Sequence, residues 1–135
     1  ERSRRQRQMC IRDSLYTVPQ LSKELAVTER AIRFYESKGL IKPSRAGNTR
    51  IFNYKDRARL LIILRAKKLG FSLKEIKTYL DLYEVDPSQK VQSKNALEAI
   101  SHRLFQLEDQ KKEINIIIHE LNILKNDILK TLEHS

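Results

Sequence analysis

Residues 28–39, TERAIRFYESKG, decide how the rest of the chain is read. Thr28 suits a helix cap through its hydroxyl, Glu29 suits the positive N-terminal end of a helix, and Lys38 with Gly39 closes the segment after about three turns. At 3.6 residues per turn, Ile32 and Tyr35 fall on one side, and Arg30, Arg33, Phe34 and Ser37 on the other. One face packs and the other is free to read a polar surface.

Upstream, residues 17–26 carry their own helix signals. Thr17 and Gln20 have the spacing of a capping box, Pro19 sits in the first turn, and Leu21 and Leu25 face inward. Two short helices joined at Val27 and Thr28 predict a helix-turn-helix. An amphipathic hairpin of a helical bundle, with arginines that only solvate it, reads equally well from this segment alone.

Charge separates the two readings. The chain of 135 residues has a net charge of +10. Residues 1–13 hold five basic and two acidic side chains, residues 14–85 fifteen and seven, and residues 86–135 seven and eight. The excess therefore sits on the helix-turn-helix segment. Neutralisation of phosphates by Lys and Arg is the main sequence-independent source of nucleic-acid affinity, so DNA becomes the expected partner. A membrane surface fits less well, since no long helix pairs a basic face with an apolar one left for lipid. No apolar run approaches the roughly 20 residues of a membrane span, and no hydrophobic signal segment precedes the first helix, which predicts a cytoplasmic protein. The single cysteine, Cys10, excludes an internal disulfide and any multi-cysteine metal site within one chain.

Residues 1–14 have no hydrophobic periodicity and read as a leader, either disordered or non-native, with a basic minor-groove arm as the alternative. After Gly39 the helical period disappears. Ser44–Ala46 and residues 49–52 are expected to pair across a turn at Gly47 and Asn48, making a small wing from which Arg45 and Arg50 project. Asn53 then caps a helix running to Leu69, with an expected core face of Ala58, Leu61, Ile62, Leu64 and Leu69, and Gly70 stops it. Ser72 and Glu75 form a capping box for a further helix carrying Leu73, Ile76, Tyr79, Leu80 and Tyr83.

Five motifs recur in order and register: Tyr16-Thr17-Val18, Arg33-Phe34-Tyr35-Glu36, Gly39-Leu40-Ile41, Arg50-Ile51-Phe52 and the run LGFSLKEI at 69–76. Together they resemble the DNA-binding domain of the MerR family of bacterial transcription regulators over residues 15–85. The resemblance implies a mainly α fold: a winged helix-turn-helix domain, then a long C-terminal helix at 86–135 forming an antiparallel dimeric coiled coil. It implies a sequence-specific homodimer on a palindromic promoter operator, acting with RNA polymerase by distorting an overlong promoter spacer, in the bacterial cytoplasm and on the nucleoid when bound. The candidate DNA-binding residues are Thr17, Thr28, Arg30, Arg33, Phe34, Tyr35, Arg45, Arg50, Phe52 and Lys68. Arg30 and Arg33 are expected to contact bases, and Arg45, Arg50 and Lys68 phosphates. Two positions depart from the family pattern. Asn48 and Thr49 stand before Arg50 where the family has Gly-Tyr, and Phe34 replaces a commoner tyrosine, so its ring has no hydroxyl to donate.

Asp86, Pro87, Ser88 and Gln89 suggest a helix start with proline at the first helical position. From Leu97 the positions Ile100, Leu104, Leu107, Lys111, Ile114, Ile118, Leu121, Lys125, Ile128 and Leu132 alternate three and four apart, the spacing of a coiled-coil seam. Leu97, Ile100, Leu104, Leu107, Ile114, Ile118, Leu121 and Ile128 are the candidate dimerisation residues. Ile116, Ile117, Ile123 and Leu124 widen the stripe, so the C-terminal end is expected to meet another element as well. A helix folded back as a hairpin is the alternative, though no breaker marks its turn.

His102, His119 and His134 are scattered, and no cysteines flank the long helix, so neither a metal site nor a cofactor is expected. The sequence shows no paired carboxylates in a cleft pattern, phosphate loop or nucleophile motif, and catalysis is not expected. Larger family members append a ligand-binding domain; this chain stops short of one. An effector is then expected on the dimer itself, near residues 82–88 or the end of the coil. The run 64–73 with Asp81-Leu82-Tyr83 resembles the subgroup controlling branched-chain amino-acid and fatty-acid breakdown, which implies acyl-CoA compounds as signals. A non-specific architectural DNA binder and a helical adaptor are the alternative function classes.

Overall fold

The structure, a computed structural model, describes residues 14–85 and 87–135. The leader expected at 1–14 lies, except for Ser14, outside the described residues, and so do Cys10 and Asp86. Two compact units divide after Ser93.

The first unit opens with α1 (Val18–Leu25) and α2 (Glu29–Ser37). Thr17 caps α1 by accepting the Gln20 N–H, and the Gln20 side chain returns the bond to the Thr17 N–H at 2.8 Å. The link between the helices is tighter than spacing alone suggests. Ala26 adopts the left-handed conformation at φ 54°, the Val27 N–H reaches back to the Ser22 carbonyl at 3.1 Å, and the Ser22 hydroxyl donates to the Val27 carbonyl at 2.5 Å. A side chain usually counted as polar surface thus locks the turn that aims α2. Gly39, at φ 77°, closes α2: the Leu40 N–H bonds to the Tyr35 carbonyl at 3.0 Å and reverses the chain.

Next come the strands β1 (Ser44–Ala46) and β2 (Thr49–Ile51), antiparallel, with Ser44 opposite Ile51, Arg45 opposite Arg50 and Ala46 opposite Thr49. Gly47 at φ 63° occupies the first of the two turn positions, where a two-residue hairpin of this twist needs glycine. Phe52, expected to continue the wing, leaves it and pairs with Tyr16, the two exchanging backbone bonds of 2.8 Å.

Helix α3 (Tyr54–Leu69) has a full capping box from Asn53 and Asp56 and ends at Gly70, φ 95°. Burial raises the Asp56 carboxyl above the usual carboxylate value, against the opposing pull of its Asn53 hydrogen bond and the Arg59 charge. The face of α3 expected to form the core is corrected here. Leu60 and Ile63 are fully buried, Leu64 is half-buried, and Ala58, Leu61, Ile62 and Leu69 are exposed. Around Leu60 and Ile63 gather Val18, Leu21, Ile32, Tyr35, Leu40, Ile41, Phe52, Ile76 and Leu80. Helix α4 (Leu73–Val85) starts from the Ser72 and Glu75 box, at 3.0 and 3.1 Å. Arg59 ties three elements together: its Nε donates to the Leu40 carbonyl at 3.1 Å, and its terminal nitrogens lie 3.6 Å from Asp81 and 3.9 Å from Glu84.

Helix α5 (Lys90–Glu133) has 44 residues, about 66 Å at 1.5 Å per residue. It starts later than its Pro87 signal implied. Gln89 takes φ 67°, which breaks the helical backbone, and the Ser88 hydroxyl accepts the Lys90 N–H at 3.4 Å. Gln92, the one buried polar residue among those described, donates to the Tyr79 carbonyl at 2.8 Å and holds the first turn to α4. From Lys94 onward α5 is a unit of its own, and every residue in its expected seam is exposed. No described helix is long and apolar enough to cross a membrane.

Candidate nucleic-acid interface

Helix α2 buries Ile32 completely and leaves Tyr35 only 9% exposed, and this anchoring fixes which side chains face out. Arg30, Arg33, Phe34, Ser37 and Lys38 are all exposed. Arg30 and Arg33 form no ion pair or hydrogen bond with the described residues, so their guanidinium groups are unspent donors on an exposed helical face. The Lys38 ammonium lies 5.5 Å from the centre of the Phe34 ring, which is itself 45% exposed. That face offers cations, an apolar ring edge for a thymine methyl, and a serine whose hydroxyl is occupied by the Phe34 carbonyl at 2.6 Å.

Burial corrects one expected DNA contact and narrows another. Phe52 has no exposed surface, because its pairing with Tyr16 turns its ring into the core. Tyr35 likewise lies with the core cluster, its ring 6.0 Å from that of Phe34. Phe52 supports the interface from beneath, and Tyr35 leaves only 9% of its surface for a partner.

The two threonines serve as caps. Thr28 accepts the Ala31 N–H at 3.1 Å and Thr17 the Gln20 N–H at 3.4 Å, each leaving its O–H unspent among the described residues. Their positions at the N-termini of α1 and α2 put helix dipoles, backbone N–H groups and hydroxyls together, an arrangement suited to phosphate oxygens.

The wing arginines are not free. Arg45 Nη2 lies 3.1 Å from Glu36 Oε1, and Arg50 Nε donates to Glu36 Oε2. Glu36, on the last turn of α2, was absent from the expected site although it stands inside the Arg-Phe-Tyr-Glu motif. One signal for it was available: a two-residue hairpin turn at Gly47 and Asn48 sets Arg45 opposite Arg50, and two like charges so placed call for a counter-ion. Lys68, exposed near the Gly70 corner beside Lys67, has no partner among the described residues.

Residues 16–82 match the MerR HTH family regulatory protein family, and residues 57–124 match the family described as MerR, DNA binding. The HTH-type transcriptional regulator ZntR homolog of Haemophilus influenzae is 35% identical over 84% of this chain and 78% of its own. The transcription regulator PbrR691 from Ralstonia metallidurans CH34, solved in complex with lead(II), is 28% identical at a TM-score of 0.67, over 82% of this chain and 86% of its own. HiNmlR, a MerR family regulator lacking the sensor domain and solved bound to promoter DNA, is 26% identical at a TM-score of 0.52, over 81% of this chain and 76% of its own. Among the described residues of the present chain, no group of three or more His, Cys, Asp or Glu is placed to hold a metal ion. By sequence and by fold, the chain belongs to the MerR family of DNA-binding, HTH-type transcription regulators.

Proposed function

We propose that this regulator binds a palindromic promoter operator as a homodimer, with one α2 in the major groove of each half-site and the wings on flanking phosphates. The observation that carries the reading is the division of the arginines. Arg30 and Arg33 stand unpaired on the exposed face of α2, while Arg45 and Arg50 are held on the wing beside it. Unpaired arginines on a helix of this size suit guanine edges, and cations on a hairpin suit the backbone. Thr17, Thr28 and Lys68 add phosphate contacts, and Phe34 an apolar one.

Dimerisation falls to α5. Large apolar side chains along it, among them Leu97 at 65% and Leu107 at 42% exposure, have no cover among the described residues, and a second copy in an antiparallel coiled coil supplies it. Promoter-bound HiNmlR supports duplex DNA as the ligand. Where the paired recognition helices do not match straight B-form DNA, binding bends or untwists the spacer at an elastic cost of a few kcal/mol, offset by wing contacts. That distortion realigns promoter elements for RNA polymerase. An effector, for which acyl-CoA is the class the subgroup resemblance implies, has leverage no larger than its difference in affinity for the two dimer geometries. The setting is the bacterial cytoplasm, with the protein on the nucleoid when bound, and no catalytic role is assigned.

Selection of duplexes from a random pool tests the reading. A palindrome with two half-sites is expected; recovery of no preferred sequence would leave a non-specific architectural binder. At the selected promoter, shortening the spacer by one or two base pairs is expected to raise basal transcription and turn the protein into a repressor. A promoter whose native spacer already has ordinary length would make it a plain repressor.

A further inference from the structure

The wing presents an electrostatic oddity. Arg45 and Arg50 are directly opposite each other across β1 and β2, where like charges destabilise a strand pair. Both converge on Glu36, one on each carboxylate oxygen. The Glu36 side chain is 19% exposed, so the pairing takes place partly out of water, where charge-assisted bonds are stronger. The contact spans two elements: the carboxylate comes from the last turn of α2, and the cations come from the wing.

The choice of donor atoms matters. Arg50 spends its Nε on the carboxylate, which leaves both terminal nitrogens without a partner among the described residues. Arg45 spends Nη2 and keeps Nε and Nη1. A guanidinium held through Nε, as in Arg50, loses rotamer freedom yet still offers its two terminal nitrogens as a fork of N–H donors, the geometry that binds a phosphate bidentately. Three charges in contact, two positive and one negative, leave a net positive site.

We infer that Glu36 is a positioning residue for DNA recognition: it fixes the wing arginines against α2, so that phosphate capture by the wing and base reading by Arg30 and Arg33 occur in one register. This rests on the proposed operator binding and adds to it a residue that touches no DNA. The alternative is simple neutralisation, in which Glu36 only offsets charge. The two differ in sign. Glu36→Gln keeps the size of the side chain but removes a negative charge close to the DNA backbone, so neutralisation alone predicts tighter binding to every duplex. Positioning predicts that operator affinity falls about tenfold while random-duplex affinity holds or rises, because a disordered cation still attracts phosphate but no longer fixes register.

The experiment measures operator and random-duplex affinities at several salt concentrations for the wild type, Glu36→Gln, Arg50→Lys and the double variant, with melting curves for each. Support consists of a lower operator-to-random ratio in both single variants and no further loss in the double variant. Tightening of Glu36→Gln on both duplexes, or losses that add in the double variant, overturns the inference. Should Glu36→Gln fail to fold, Arg50→Lys decides by itself: a loss confined to the operator supports positioning, and an equal loss on both duplexes overturns it. A wild type that prefers no duplex would refute the operator reading instead, which the wild-type arm alone reveals.

Discussion

Helices α2 and α5 solve the same problem at different scales. Both are amphipathic, but α2, nine residues long, hides Ile32 and Tyr35 in a core made by its own chain, whereas α5, with 44 residues, leaves side chains from Leu107 at 42% to Phe105 at 73% exposed. A short helix finds cover among its sequence neighbours. A helix of about 66 Å has its large apolar side chains uncovered among the described residues. The first region is therefore a self-contained fold that presents polar groups outward, and the second is a long apolar stripe that the proposed dimer would cover with another copy.

The sharpest way to break this contrast is to charge the seam. Leu107→Glu together with Ile114→Glu is expected to give monomers in sedimentation and to weaken operator binding by more than about 100-fold, since one half-site then binds without the second. A variant that stays dimeric would move the interface elsewhere. Next in size is a pair of truncations, one in each region. Ile63→Ala, in the core beneath α2, is expected to cost about 2–5 kcal/mol whatever the protein concentration. Ile118→Ala, on α5, is expected to lower a melting temperature that itself rises with protein concentration. Identical concentration behaviour for the two would erase the distinction.

Arg33→Ala is expected to cost about 1–3 kcal/mol, nearly all of it on the operator, while Lys68→Ala falls equally on all duplexes and reduces the salt slope by about one. The reverse pattern would exchange the roles of helix and corner. The smallest change sharpens the turn between α1 and α2. Ala26, non-glycine at φ 54°, carries a left-handed penalty, and Ala26→Gly is expected to raise the stability of the first unit by up to about 1 kcal/mol. A destabilised Ala26→Gly would mean that the unfolded-state entropy of glycine outweighs the relief.

What could be read in advance was what is encoded locally. Capping by Thr17 and Gln20, the Ser72 and Glu75 box, the glycine stops and the hairpin at Gly47 each depend on residues a few positions apart, and spacing reveals them. The inward face of α3 was not legible. Residues 60–64 read LLIIL, apolar on every side of a helix, so periodicity has no contrast from which to choose Leu60 and Ile63 over Leu61 and Ile62. Phe52 was misplaced for a related reason: alternation along the wing puts it on a plausible surface, and only its pairing with Tyr16, distant in sequence, turns it inward. In the site itself, the free cations of α2 followed from helical phase alone. Glu36 did not, because its partners lie 9 and 14 residues away, and the Arg45–Arg50 pairing calls for a counter-ion without saying which acid supplies it.

The carboxylate shared by Arg45 and Arg50 also bears on descent. A lineage that lost the acid at position 36 would carry two unscreened cations facing each other on three-residue strands, and relief would come soonest by replacing one of them. Positions 36, 45 and 50 are thus expected to drift as a set among relatives, with acid and paired arginines kept or surrendered together, whereas positions 30 and 33 are at liberty to follow whatever bases each operator acquires.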